Sequence, residues 1–437
     1  MKKNIILSVF LCFILLFNVI AQKSKTSAYY YPITKGKKYG FMDDKGKVII
    51  PTIYDEVFKY NYEATFENDL FPVKNGTLWG YCNLKGEIVI PASYYNVYPF
   101  SGGLALVELA KDIAPDYNKN RAFIDYTGKQ ITKHDMYDHN DFLDKPLVKE
   151  NLIAIKEFKS AKWGYLNTQG RTEIPFVYDY ALPFSEGLGL VKKNGLYGFI
   201  DKTGKEVIKV QYASGSSFSE GIAVVTKLND TTTFYFIDKT GKVTGSTKNN
   251  LTGSWVSKNR IAFSNGLCRF FKDKKTGLID KTGKIVIDAV YTHIYPYVEE
   301  GYWSIRNDPP ESDTRPRPGD GPKKPKQAPN QKNEPKSPPI KTGVGYIDNT
   351  GKVIIDIKYK EARNFYYGLA AVALEKEKWG VIDMKGVEIV PLVYKFDANI
   401  FKGGLIMVKG NKYFSGEFGY VDKTGKWIWP MPSEDFK

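Results

Sequence analysis

Four copies of Lys-Thr-Gly, at 202–204, 239–241, 281–283 and 423–425, invite a chemical reading first. That phrase forms one box of the penicillin-recognising enzymes, where it works beside Ser-x-x-Lys and Ser-Asp-Asn boxes. No such partners stand in a suitable layout here. With the aspartate before it, the phrase also matches the start of the phosphorylation motif of cation pumps. Lysine follows it, however, and no membrane helices accompany it. His134-Asp135-Met136-Tyr137-Asp138-His139-Asn140-Asp141 is the one cluster of metal-ligand types, and its spacing matches no zinc or calcium motif. Three histidines leave little material for acid–base work, and no glycine-rich loop leads into a helix to cradle phosphate. The expectation is a chain with no catalytic residue, no cofactor-binding residue, no metal ligand and no cofactor: not an enzyme.

The recurrence of these phrases has a simpler source. Tyr197-Gly198-Phe199-Ile200-Asp201-Lys202-Thr203-Gly204-Lys205 has relatives ending at Gly46, Gly86, Gly128, Gly170, Gly204, Gly241, Gly283, Gly351, Gly386 and Gly425. The intervals are 40, 42, 42, 34, 37, 42, 68, 35 and 39 residues, one period with a single insertion in the seventh. Five residues after the glycine stands Pro51, Pro91, Pro175, Pro391 or Pro430. Eight residues after it stands Tyr54, Tyr94, Tyr178, Tyr212, Tyr291, Tyr359 or Tyr394. A second phrase, Phe184-Ser185-Glu186-Gly187-Leu188-Gly189-Leu190-Val191, recurs from Phe100, Phe218 and Phe365, with weaker forms around Gly266, Gly301 and Gly404.

Together these residues resemble the WG-repeat family, in which a Trp-Gly pair precedes an Asp-x-x-Gly turn. The pair is intact at Trp79-Gly80, Trp163-Gly164 and Trp379-Gly380, while Tyr39, Tyr197 and Phe418 put another aromatic before the glycine. The third and sixth units depart further, with Ala122 and Tyr235 in the glycine slot; the seventh and eighth place Thr276 and Val344 in the aromatic slot. The resemblance covers residues 28 to 430. It implies an exported bacterial β-repeat protein with no assigned reaction, an architecture more than an activity.

The residues themselves dictate what one unit must be. Asp201 to Lys205 reads as a turn whose glycine takes the left-handed conformation, the usual short hairpin with a glycine bulge. Aromatic and β-branched residues flank it as strands require. Proline, which cannot donate to a ladder, stops the following strand at Pro91. Asn194-Gly195 makes a second tight turn. Each unit is thus three strands joined by two hairpins, and no segment carries a 3.6-residue apolar stripe. Such a ribbon cannot bury its own apolar face, but stacked copies can. The fold expected is all-β: about ten tandem three-stranded units in an open, curved β-solenoid or superhelical array. Propeller-like closure is the alternative, although blades usually number about four to eight. The registered aromatics read as cement between units; the rival reading is a sugar-stacking face.

Lys2 and Lys3, the apolar run Ile5 to Ile20 and Val19-Ile20-Ala21 form the three parts of an export signal, so residues 1–21 are expected to be cleaved. The run is shorter than the roughly 20 residues that span a bilayer. Residues 22–437 would form the array, with no stable membrane span. Loss of the two lysines takes the formal charge from +15 to +13, spread without blocks of like sign. This is a solvated lysine-rich surface, with anionic polysaccharide or lipid as the sharper partner and nucleic acid excluded by export. Cys82 and Cys268 lie far apart in β-patterned segments and are expected as buried thiols, not a disulfide.

Residues 306–341 hold ten of the 23 prolines, with nine basic and five acidic side chains. That composition reads as an extended or disordered loop inserted between the first and second strands of one unit. The functional expectation is a monomeric, non-enzymatic scaffold, periplasmic, cell-surface or secreted, binding a protein or polysaccharide outside the cytoplasm. The alternative is a carbohydrate-binding, envelope-associated module that uses aromatic and lysine side chains.

Overall fold

The computed structural model describes residues 29–57, 66–109, 121–132, 148–157, 159–252, 261–295, 301–308, 341–375, 378–394, 399–400, 403–409 and 418–429. Residues 1–21, expected as an export signal, and the His134–Asp141 segment lie outside them, as do residues 309–340 of the insertion. The described residues form short antiparallel strands in eight sheets, with one 3-10 turn at Glu67–Asp69 and no α-helix.

The unit Gly189–Lys193, Leu196–Ile200, Glu206–Gly215 represents the rest. Its first hairpin closes through Asn194 and Gly195, with φ of 52° and 82°, so that Lys193 faces Leu196. Both central residues are left-handed, which matches the turn to the twist of the flanking strands. The second hairpin closes at Asp201. Its Oδ1 accepts bonds from the amides of Thr203 (2.9 Å) and Lys205 (3.0 Å) and from the Thr203 hydroxyl (2.6 Å). The Gly204 amide donates to the Asp201 carbonyl at 2.9 Å, with Gly204 at φ +82°. The same amide-to-side-chain bonds recur at Asp43, Asn83, Asp125, Asn167, Asp238, Asp280, Asp348, Asp383 and Asp422.

The glycine of the Trp-Gly pair has a different cause. At Gly80 a Cβ would stand 2.4 Å from the Ile90 carbonyl oxygen, and at Gly380 it would stand 2.5 Å from that of Val390. The third strand bulges there, with register shifts between Trp79 and Tyr81 and again between Tyr81 and Cys82. The bulged backbone occupies the space a side chain would need. In the sixth unit Tyr235 pairs directly with Ser246, and the shift falls only between Phe236 and Ile237. Without the first bulge, the slot accepts tyrosine. In the third unit, the strand after the turn contracts to a bridge between Ile124 and Gln130.

A short fourth strand, not expected from the sequence, joins consecutive units. After the third strand the chain bends and pairs with the first strand of the next unit. Glu56 faces Lys74 and Val57 faces Val73, ten and eleven residues after Gly46. Lys74 and Val73 themselves face Trp79 and Gly80. Tyr180 and Ala181 keep the same register after Gly170, against Lys192 and Val191. So do the tails after Gly86, Gly204, Gly283 and Gly351. Asn399 and Ile400 enter the last unit later in the count.

First strands such as Ala105–Leu109 are buried on both faces, whereas third strands alternate. The apolar clusters therefore span unit boundaries: Trp163, Tyr165 and Ile174 pack with Phe184, Val191 and Ile200 of the following unit. Each such side chain contributes about 1.5–3 kcal/mol on burial. Tyrosine hydroxyls cross the same boundaries, from Tyr81 to the Tyr98 carbonyl and from Tyr165 to that of Leu182, both at 2.7 Å. The same kind of cluster unites Tyr31, Ile33 and Met42 with Leu405, Met407 and Tyr420, so the first and last units touch.

Asn307 faces Gly343 within one antiparallel pair, so the chain leaves and re-enters a single hairpin.

Candidate functional site

The Lys-Thr-Gly phrases sit at the turns just described, and their groups are already engaged. The turn carboxylates accept three bonds each where threonine is present. For Asp201, Asp238 and Asp348 the threonine hydroxyl leads in holding the carboxyl below its usual range. For Asp125, Asp280 and Asp422 desolvation pulls upward first and is outweighed by the hydroxyl and the backbone amides. Carboxylates held ionised in this way are poorly matched to proton transfer near neutral pH.

In three of the four copies the lysine of the phrase, Lys202, Lys239 or Lys281, has a carboxylate partner across the unit boundary. Glu150 accepts from the Gly187 amide at 2.9 Å and pairs with Lys202 at 2.8 Å. Glu186 takes Gly221 and Lys239, and Glu220 takes Gly266 and Lys281, in the same arrangement. Glu67 spans Gly102 and Gly103, and the Tyr126 hydroxyl stands in for the lysine. Glu150, Glu186 and Glu220 hold φ of 54°, 55° and 52°, a left-handed conformation that L side chains rarely adopt. These clasps were not read from the sequence, although a glutamate before the glycine of the second phrase was their signal.

Most of the registered aromatics are interior, while Tyr39, Tyr197, Tyr291, Tyr394 and Phe418 are half-buried. Trp79, Trp163 and Trp379 are 5–8% exposed, and Tyr54, Tyr94, Tyr178, Tyr212 and Tyr359 are buried as well. Lys74 covers the Trp79 ring at 5.8 Å and Arg363 covers Trp379 at 5.7 Å, geometry that engages the ring faces within the fold. Cys82 and Cys268 are buried thiols, pushed up by desolvation to about 11 and about 12. Among the described residues no three His, Cys, Asp or Glu side chains gather to hold a metal. His293 meets Asp308 at 3.3 Å, where Arg306 also pairs at 2.8 Å, at the base of the insertion. No described helix is long and apolar enough to cross a membrane.

What the described surface does offer is a repeated apolar stripe. Of the 17 large apolar side chains that are exposed, 14 fall between a turn glycine and the end of the third strand. Val48, Ile88, Val243, Ile285 and Val353 stand two residues after the glycine; Ile53, Val177, Val290 and Val393 stand seven after it. Exposed cations precede them, including Lys47, Lys205, Lys242, Lys284 and Lys352. The registered prolines, Pro51, Pro91, Pro175 and Pro391, are exposed on the same strands and blunt their edges against strand addition. This stripe escaped the sequence reading because its positions were read as strand formers without a face.

A family profile described as "WG containing repeat" matches residues 39–76, 79–111, 163–197, 197–230, 277–308, 345–376 and 379–413. Among curated proteins, none matches the chain. Of solved structures, a eukaryotic initiation factor is similar at 10% identity and TM-score 0.47, over 94% of this chain and 96% of that one. Apo AztD from Citrobacter koseri aligns at 10% identity and TM-score 0.31, covering 94% and 95%. PorZ of Porphyromonas gingivalis aligns at 8% identity and TM-score 0.23, covering 91% and 57%.

Proposed function

The chain belongs to the WG-repeat family, and from that premise we propose that it is a non-enzymatic, exported, monomeric scaffold that binds a protein partner through its third-strand stripe. The observation that carries this reading is the chemistry of the stripe. Its exposed groups are valine, isoleucine and proline beside lysine, with Tyr95 the one exposed aromatic among the described stripe positions, while Trp79, Trp163, Trp303 and Trp379 are buried. Aliphatic groups ringed by charge suit the apolar core and polar rim of a protein contact. A polysaccharide would call for exposed aromatic faces instead.

The ten units close into a ring in this reading, in place of the open array that the sequence favoured. Support comes from the spacing of one contact. A Cβ on Gly86, Gly128, Gly204, Gly241 or Gly351 would meet an isoleucine of the preceding third strand. A Cβ on Gly46 would meet Ile428, three residues after Gly425, as one on Gly170 would meet Ile131 and one on Gly425 would meet Ile389. A ring holds the stripe positions at fixed spacing, so that one partner can engage several units at once.

The test is affinity capture from the native envelope fraction with the wild-type chain and with an Ile285→Asp, Val286→Asp, Val290→Asp variant. The partner should be a protein, and the variant should lose it while keeping its circular dichroism. Capture of a glycan, or a partner unaffected by the variant, overturns the reading. Small-angle scattering decides closure through the maximum dimension of the particle.

A further inference from the structure

Three of the 17 exposed large apolar side chains lie away from the third strands: Leu228, Tyr295 and Leu374. Tyr295 is held beside His293, with ring centroids 6.0 Å apart. The two leucines stand on the first hairpins of their units. Leu228 and Asn229 are the central residues of the turn that Lys227 and Asp230 close, and Leu374 directly follows the strand Leu369–Ala373. Leu228 is 68% exposed, more than any other large apolar side chain among the described residues. A first hairpin joins strands one and two and an Asp-x-x-Gly turn joins strands two and three, so the two kinds of turn lie at opposite ends of a unit. The tail strands repeat one register from unit to unit, so the first hairpins emerge on the same side of the stack.

The surroundings of Leu228 are cationic. The fifth, sixth and seventh units stack in order through shared cores, Leu190 with Val225 and Val224 with Phe270. Their hairpins, 193–196, 227–230 and 272–275, carry five lysines against Asp230 and Asp273. Asp230 is turned onto its own hairpin, where it accepts from the Thr233 amide at 3.0 Å and the Tyr235 hydroxyl at 2.9 Å. Lys193, Lys272 and Lys274 are exposed, and Lys35 and Lys37 bring the same charge to the first hairpin of the first unit. A single exposed leucine at a tip offers no contiguous apolar core to a protein partner. A bilayer needs none: acyl chains close around an isolated apolar side chain while anionic headgroups take the lysines.

We propose that the first-hairpin end of the array rests on an anionic lipid bilayer, with Leu228 and Leu374 entering the boundary between headgroups and acyl chains and Lys193, Lys272 and Lys274 meeting lipid phosphates. The contact is peripheral and adds no membrane-spanning segment. It is independent of the stripe reading and goes beyond it. It orients the scaffold on a surface while leaving the third strands to a protein partner.

The test is co-sedimentation of the full chain, at low ionic strength, with vesicles of phosphatidylcholine alone or with about 30% phosphatidylglycerol. Binding should require the anionic lipid. Leu228→Asp with Leu374→Asp should weaken it by about tenfold or more. Lys193→Gln, Lys272→Gln and Lys274→Gln should each weaken it by about fivefold. A polarity-sensitive dye attached through Leu228→Cys, in a chain with Cys12→Ala, should shift to the blue on the anionic vesicles, and the same dye attached through Val290→Cys should not. Equal binding to neutral vesicles, variants that bind as the wild type does, or no shift at position 228 overturns the proposal. Lysine-dependent binding of soluble poly-L-glutamate without a shift at position 228 also overturns it, and assigns the hairpin end to an acidic protein. The dye reports on position 228 alone, so it decides the matter if the leucine variant fails to fold and whatever residues 1–21 add to vesicle binding. The Ile285→Asp, Val286→Asp, Val290→Asp variant should bind vesicles as the wild type does. Loss of vesicle binding in that variant would move the lipid contact to the stripe and overturn the proposal.

Discussion

The hydroxyl of Tyr420 donates to the backbone carbonyl of Pro32 at 2.8 Å, across 388 residues of chain. Tyr165 makes the corresponding kind of bond to Leu182 at 2.7 Å between neighbouring units, and both tyrosines are wholly buried. Losing one such bond costs about 1 kcal/mol. Tyr420→Phe and Tyr165→Phe should therefore lower stability by similar amounts in urea unfolding. A silent Tyr420→Phe beside a destabilising Tyr165→Phe would mean that the two ends separate in solution.

The Trp-Gly glycine gives a second prediction. A Cβ at Gly80 would sit 2.4 Å from a carbonyl oxygen of the bulged third strand, which is backbone and has no cheap way to yield. Gly80→Ala should cost about 3 kcal/mol, the upper part of the overpacking range. Tyr235→Ala, at the same slot of the unit that lacks the first bulge, should lose packing but introduce no clash. Thermal unfolding of both variants checks this, and an unharmed Gly80→Ala would refute the bulge argument.

Much of this was legible beforehand because each repeated residue answers one local demand. Gly204 needs a left-handed turn and Asp201 an amide-capping oxygen, and both were readable at ten places. The tail strands were not legible. Glu56-Val57 and Tyr180-Ala181 share no residue types, since their register is set by the bend after the third strand. The contact of Tyr31 with Tyr420 was hidden for a different reason. Tandem copies present the same faces whether or not the two end copies meet, so periodicity cannot distinguish a ring from an open stack.

Glu186 tests whether the inter-unit clasp outweighs the strain it imposes. Its carboxylate reaches the Gly221 amide at 3.0 Å and Lys239 at 3.2 Å, while its own φ is 55°. The exposed lysine adds little, so the charged bond to the amide dominates, at about 1.5–3 kcal/mol. Glu186→Ala should lose about that much. Glu186→Gly should recover about 1 kcal/mol of it, because glycine escapes the left-handed penalty. Denaturant midpoints of the three proteins measure it; an alanine variant as stable as the glycine variant would show that no strain is held there.

The two described thiols should be chemically silent. Burial pushes Cys82 up to about 11 and Cys268 up to about 12, and the thiolate is the reactive form. A water-soluble thiol reagent at mildly alkaline pH should label neither in the native protein and both in denaturant. Rapid labelling of Cys82 in native protein would place the opening of its inter-unit core among the fast local fluctuations.

The turn aspartates predict how stability depends on acid. Asp125, Asp201, Asp238, Asp280, Asp348 and Asp422 all lie below the usual aspartate value of 3.8. In the unfolded chain they return to it. Above that value both states are ionised, and the contribution of the turns is complete. As pH falls through it, the unfolded chain binds protons first, so stability declines until the folded turns protonate as well. Urea unfolding from about pH 6 to about pH 3 should be flat at first and should fall below about pH 4. Asn83 and Asn167 already cap equivalent turns with the same amide bonds and without a titrating group. Replacing all six aspartates with asparagine should therefore preserve the fold near neutrality and flatten the acid limb. An unchanged limb in that variant would assign the acid sensitivity to other carboxylates, with Asp55 and Asp179 at the opposite hairpins, both also lowered by lysine and glycine-amide bonds, the next to replace.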